Sequence, residues 1–170
     1  SRGVLTHLSL RRLLTRWNAE VLALPDAPAG VTPQMRNRGW IGSPPAGPAA
    51  LAAWERRTGL ALPPSYRAFA EVSDGWPLVD FDFGAVRPLA ETGPVRDLEP
   101  GLLAAWEDAY GEDGGDDGNE DEDEDGLVDD GPPLLRRCVL LNDGSDHFLL
   151  DPGHVGPDGE RATWDFTHWY

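Results

Sequence analysis

The chain has 170 residues, seven Trp, five Phe and three Tyr, enough length and apolar bulk for one domain with a sizeable core. Its formal net charge of −16 argues against a broad nucleic-acid-binding face, and the single Cys138 excludes an internal disulfide and an all-cysteine zinc site. No run nears the roughly 18 apolar residues of a membrane span and no leader pattern opens the sequence, so a cytoplasmic protein is expected.

The charge is unevenly placed. Fourteen acidic residues and no basic one lie between Glu107 and Asp130, and the remainder carries 16 acids against 14 Arg, a net of −2. The acidity is therefore one tract on a nearly neutral body. Among the arginines no cluster exceeds the pairs Arg11–Arg12, Arg56–Arg57 and Arg136–Arg137.

From the amino end, Leu10, Leu13, Leu14, Trp17, Val21 and Leu24 fall at helical spacing and predict an amphipathic helix capped by Thr6 or Ser9 and ended by Pro25. Residues 25–38, rich in Pro, read as an extended or loosely ordered linker. The stretch 1–35 is thus a helix plus linker, followed by a domain over 36–170. In Trp40-Ile41-Gly42-Ser43-Pro44-Pro45 the prolines forbid a helix. Pro48 then opens a helix bearing Leu51, Trp54 and Glu55, which Gly59 closes. Pro63-Pro64-Ser65 starts another, with Tyr66, Phe69, Ala70 and Val72 on one face, ended at Ser73-Asp74-Gly75.

Strands dominate beyond Gly75. Leu78 to Phe83 alternates apolar and acidic residues, and a short strand surrounds Val86. Pro100 to Tyr110 reads as a helix with Leu102, Leu103, Trp106 and Tyr110 on one side. Cys138 to Leu141 is a strand of buried type, Asn142 to Asp146 a hairpin turn, and His147 to Leu150 the returning strand. Asp151-Pro152-Gly153 and Pro157-Asp158-Gly159 read as turns, before a last strand over Arg161 to Trp169. Helices first and an antiparallel meander after them predict an α+β domain, its N-terminal helices packed on a mostly antiparallel sheet.

WIGSPP, the helix carrying Trp54-Glu55, and then TGLALPPSYRAFAEVSDGW resemble the SMI1/KNR4 family of the SUKH superfamily, with LPPSYRAF followed by Ser-Asp-Gly the most diagnostic part. LLNDGSDHFLLDPG and GERATWDFTHWY are similar to that family's carboxy-terminal sheet, so the resemblance covers most of 36–170. Relatives usually continue past the final Trp-Tyr, and their pattern does not require the acidic insertion at about 112–130. The resemblance implies a SUKH-like α+β fold without common catalytic residues. It further implies that the chain, like many bacterial members, is an immunity protein that binds and neutralises a cognate toxin. Eukaryotic relatives act as interaction scaffolds, which makes a regulatory scaffold for an endogenous partner the alternative.

The residues themselves offer little catalytic chemistry. Asp121 to Asp129 matches the first nine positions of a calcium loop, yet Pro132 stands where a bidentate carboxylate belongs, and a solvated acidic loop is the plainer reading. His7, His147, His154 and His168 lack ligand spacing. A convergence of the latter three around Asp151 would be needed for a metal or acid–base site, and would make a hydrolase a third, weaker reading. Ser43, Ser65 and Ser73 fall at caps or turns, and Cys138 leads an apolar strand. No cofactor, metal or catalytic group is expected. Trp17, Trp40 and Trp54 are assigned to the core. The candidate partner-binding residues are Asp74, Trp76, Asp80, Asp82, Glu120, Asp121, Asp123, Asp125, Trp164 and Trp169. Their expected partner is a protein toxin, a nuclease with a basic cleft among the candidates, which an acidic loop can enter as a nucleic-acid mimic. Direct nucleic-acid and membrane binding are not expected.

Overall fold

A computed structural model of the chain describes residues 6–26, 28, 30–80, 82–111 and 132–166. Helix α1 (His7–Leu22) starts at a reciprocal capping box, in which the Thr6 hydroxyl accepts from the Ser9 amide and the Ser9 hydroxyl accepts from the Thr6 amide. Leu10, Leu14 and Asn18 are buried, with Trp17 and Val21 packed beside them. Leu13 and Leu24 are exposed, against expectation: Leu13 falls beside the buried stripe, and Leu24 lies past the C-cap Ala23.

The expected linker contains a further helix, α2 (Pro33–Arg38). Thr32 accepts from the Met35 amide at 3.2 Å, Pro33 sits in the first turn, and Gly39 closes the helix at a φ of 71°. Those are ordinary start and stop signals, hidden in the sequence by the surrounding prolines. Asn18 ties this region to α1: its amide donates to the Gly39 carbonyl at 3.0 Å and its oxygen accepts from the Ile41 amide at 2.8 Å. The buried side chain is thus paired at both ends, as burial requires.

Helices α3 (Pro48–Thr58) and α4 (Pro64–Val72) begin on their prolines as the sequence predicts, and α3 ends at Gly59 with a φ of 72°. Helix α4 is buried on two sides. Ala70 and Tyr66 join Leu51, Trp54, Leu62 and Leu89 in one core, whereas Ala68, Val72 and Phe69 join Leu10, Leu14, Ile41 and Trp76 in another. The small alanines let α4 wedge between them, so its aromatics do not share one face.

Strands β1 (Trp76–Asp80) and β2 (Gly84–Val86) form an antiparallel pair. A 3-10 turn (Leu89–Glu91) follows, then β3 (Gly93–Pro94), α5 (Val95–Leu98), α6 (Pro100–Gly111), α7 (Pro132–Arg137), β4 (Val139–Leu140), β5 (His147–Val155) and β6 (Arg161–Phe166). The second sheet runs β3-β4-β5-β6, antiparallel throughout, and the protein is of the α+β class. A bridge from Val86 to Asn142 and a 2.9 Å bond from the Arg87 amide to the Leu141 carbonyl join the two sheets.

Both faces of the larger sheet are covered. Val139, Leu141 and Leu150 face the core under α3 and α4, while Cys138, Leu140 and Leu149 face Val95, Leu135, Leu98, Leu102, Leu103 and Trp106 of α5, α6 and α7. Alternation along a strand buried on both sides explains why Cys138-Val139-Leu140-Leu141 reads as one apolar run. The layer beyond the sheet is more than the sequence predicts, since α5 and α7 are short and begin on or just after prolines. Asp151-Pro152-Gly153 is likewise no turn. Strand β5 continues to Val155, and an irregularity in its pairing with β6 between Leu150 and Val155 accommodates Pro152. Among the described residues no helix is long and apolar enough to cross a membrane.

Candidate functional site

Two constellations stand out. The first is a cross-braced acidic rim where the β1–β2 turn meets the β4–β5 loop. Asn142, 1% exposed, has its amide nitrogen donating to the Phe83 carbonyl at 2.7 Å and to the Asp146 carbonyl at 2.6 Å. Its side-chain oxygen accepts from the Phe148 amide at 2.8 Å. The Asp143 carboxylate accepts from the Ala85 amide at 2.6 Å, the Asp143 amide donates to the Ala85 carbonyl at 3.1 Å, and the Asp146 amide donates to the Asp82 carbonyl at 2.9 Å. Gly144 lies so close to Asp82 and Phe83 that a Cβ there would collide with their backbone. Phe83 and Phe148 pack with ring centroids 5.7 Å apart beneath this bracing. The result is two loops fixed to each other, with Asp82 and Asp143 exposed and Asp146 half-buried. Ordered loops of one charge sign present a surface that need not be organised on binding.

The second constellation surrounds Asp151, 0% exposed on β5. Arg137, leaving α7, donates through Nε to Oδ1 at 2.9 Å and through Nη2 to Oδ2 at 3.0 Å. The Gly153 amide donates to Oδ1 at 2.8 Å, and the Trp164 indole of β6 donates to Oδ2 at 3.1 Å. His154 Nδ1 lies 2.9 Å from Oδ2, and with the carboxylate ionised it carries the proton of that bond. Burial by itself would raise the Asp151 pKa; the donors from Arg137, Gly153, His154 and Trp164 outweigh it and hold the carboxyl well below its usual range. The group joins α7, β5 and β6. All its described partners stabilise the carboxylate, so it serves as an anchor.

Three further groups are shifted by their surroundings. Burial, aided by the charge of Asp151 and opposed by Arg137, pushes the Cys138 thiol up to about 12. Burial, with a contribution from Asp74 and opposed by Thr92 and Arg57, raises the Tyr66 phenol. The Leu62 amide, helped by Arg67 and opposed by desolvation, lowers the Glu55 carboxyl. Among the described residues no group of three or more His, Cys, Asp and Glu gathers to hold a metal ion. Of the histidines considered for convergence on Asp151, His154 meets it; His147 is buried on β5, and His168 lies outside the described residues.

The residues nominated from the sequence are dispersed. Trp76 must be reassigned: 3% exposed, it packs 5.7 Å from the Trp17 ring and 5.5 Å from the Trp40 ring, which leaves no indole face for a partner. Asp74 is half-buried, its Oδ1 accepting from the Leu89 amide at 2.8 Å to fix the 3-10 turn. Half-buried Trp164 serves Asp151 and packs against the core of Val95, Leu135 and Leu149. Asp80 ends β1, with its side chain outside the described part, and Asp82 stands on the rim. Glu120, Asp121, Asp123, Asp125 and Trp169, together with the calcium-like loop over 121–129, lie outside the described residues.

Sequence reasoning missed Asp143 and Asp146 as surface residues because Asn142 to Asp146 reads as turn chemistry alone. The available signal was a lone Asn following a buried strand, where an amide braces neighbouring backbone. Compared with protein-family models the chain matches none, and no curated protein matches it.

Proposed function

We propose that this chain is an immunity-type binding protein of SMI1/KNR4-like design, which occludes a basic surface of a cognate toxin by stoichiometric association without turnover. The observation that carries the reading is the braced acidic rim, Asp82 and Asp143 exposed and Asp146 half-buried, on two loops that Asn142 and Gly144 lock together. A fixed negative surface favours a partner whose cleft is lined by Arg and Lys, and steers its approach. The tract over 112–130 adds charge of the same sign to the chain. The α+β class and the helix–sheet order accord with the sequence resemblance.

The test is capture followed by co-expression. Wild-type protein and the triple variant Asp82→Asn, Asp143→Asn, Asp146→Asn are used as bait, and the captured protein is then expressed with and without the chain. Asn at 143 retains an oxygen for the Ala85 amide while removing the charge. The expected result is a toxic partner whose growth inhibition the wild type relieves, with weaker relief by the variant and an affinity that falls with added salt. Equal relief by the variant would remove the rim from the mechanism, and a captured partner without toxicity would favour the regulatory scaffold. Deletion of 112–130 with unchanged affinity and salt slope would assign recognition to the rim alone.

A further inference from the structure

The larger sheet ends differently at its two edges. In the order β3-β4-β5-β6, the β3 edge is two residues long and closes on Pro94, which has no amide to offer a further strand. The β6 edge is six residues long and carries no proline. Its pairing fixes which backbone groups point outward. The Leu141 amide donates to the Phe148 carbonyl at 3.0 Å, so Phe148 of β5 faces β4, and its neighbours His147 and Leu149 face β6. Their partners Phe166 and Trp164 therefore turn their backbone groups inward, and Thr163 and Asp165 turn theirs outward. At the other end the Gly156 amide donates to the Glu160 carbonyl at 2.7 Å, which by the same alternation turns Ala162 inward and Arg161 outward. Among the described residues no backbone group bonds to the outward amides and carbonyls of Arg161 and Thr163, and the Thr163 side chain is exposed.

We propose that β6 pairs antiparallel with β6 of a second copy of this chain, about a two-fold axis at Thr163, joining two sheets into one. Charge complementarity selects the occupant. With Thr163 opposite Thr163, Arg161 of each copy stands opposite Asp165 of the other, and Ala162 stands opposite Trp164. Like charges set opposite one another guard an edge against pairing; here the symmetric register sets unlike charges together, twice. The same register makes hydrogen-bonded pairs of the outward residues, Thr163 with Thr163 and Arg161 with Asp165. Such a self-complementary patch closes as a two-fold dimer. Arg161 spends Nη1 on the Pro152 carbonyl at 2.6 Å, and among the described residues Nη2 makes no hydrogen bond. The net charge of −16 repels a second copy at long range, so association should tighten as salt screens it, opposite to the salt effect expected at the acidic rim. The edge is separate from that rim, and the proposal stands or fails independently of the immunity reading.

Sedimentation velocity of the full chain over a concentration series, at low and physiological salt, reads the association. Thr163→Pro removes the outward amide at the two-fold axis and no bond to β5, so it should keep the wild-type circular dichroism. The expected result is a wild type that dimerises with rising concentration and a Thr163→Pro variant that does so about tenfold more weakly or not at all. Charge reads the register. Arg161→Glu alone and Asp165→Arg alone each set like charges opposite one another and should weaken self-association, whereas an equal mixture of the two should regain it as a heterodimer. A wild type that stays monomeric at millimolar concentration would overturn the proposal, as would dimerisation unchanged by Thr163→Pro. Failure of the mixture to regain the dimer would overturn the register and with it the choice of a second copy. A monomer whose Thr163 amide gains hydrogen-exchange protection only with a captured partner would assign the edge to that partner instead.

Discussion

Replacing Asp151 by Asn tests how α7 is joined to β5 and β6. The amide is almost isosteric but carries one acceptor where the carboxylate has two. With its nitrogen at the Oδ1 position, the Arg137 Nε and the Gly153 amide lose their acceptor; at the Oδ2 position, Arg137 Nη2 and Trp164 Nε1 lose theirs, even if the His154 ring changes tautomer to accept. Either orientation strands two donors. Each stranded donor costs about 1–3 kcal/mol, and an unpaired buried charge costs more. The Arg137 side chain is 31% exposed and can turn partly to water, which places the sum near the low end, at about 3 kcal/mol. For a chain of this length that lowers Tm by about 6–12 °C.

Urea unfolding followed by far-ultraviolet circular dichroism reads the change as a lower midpoint at unchanged slope. The pH dependence supplies a second readout. The folded pKa of Asp151 lies below its ordinary value of 3.8, so its stabilisation is present above that value and is lost as pH falls from there toward the depressed folded value. Wild type should therefore lose stability below about pH 4 more steeply than the variant. A variant within about 0.5 kcal/mol of wild type at pH 7, with the same acid limb, would refute the role assigned to Asp151.

Trp76→Ala should destabilise the protein by about 3–5 kcal/mol, because it empties the site between α1, α4 and Trp40, and chemical denaturation measures this. A loss confined to partner binding at wild-type stability would return Trp76 to the surface. Cys138, 0% exposed and with its thiol pushed up to about 12, should resist a thiol-specific reagent at pH 8 in native protein and react on unfolding; the release of chromophore is followed at both conditions. Gly144→Ala should separate the β1–β2 turn from the β4–β5 loop, costing about 1–3 kcal/mol and weakening partner capture more than the charge-removing Asp82→Asn change alone. Hydrogen exchange of the Ala85 and Asp146 amides reports the separation directly.

Local chemistry was legible wherever a residue acts on its own backbone. Pro48 and Pro64 start helices, Gly59 ends one, and the apolar run from Cys138 to Leu141 marks a strand buried on both sides. Those features depend on fixed dihedrals and on periodicity, which a sequence states directly, and they suffice for the α+β class. The sequence also isolates the charge in one tract and leaves the body nearly neutral.

Long-range pairing decided the rest. Trp76 and Trp164 are both large indoles beside turns or on strands, yet one is sealed among Trp17 and Trp40 while the other reaches Asp151 from a half-exposed position. Asn142 becomes the brace of the acidic rim because Phe83, 59 residues away, offers a carbonyl to it. Asp151 becomes an anchor only when α7 delivers Arg137 and β6 delivers Trp164. A buried polar group must find its partners wherever the chain brings them, and those partners are separated from it by segments whose path no local rule fixes.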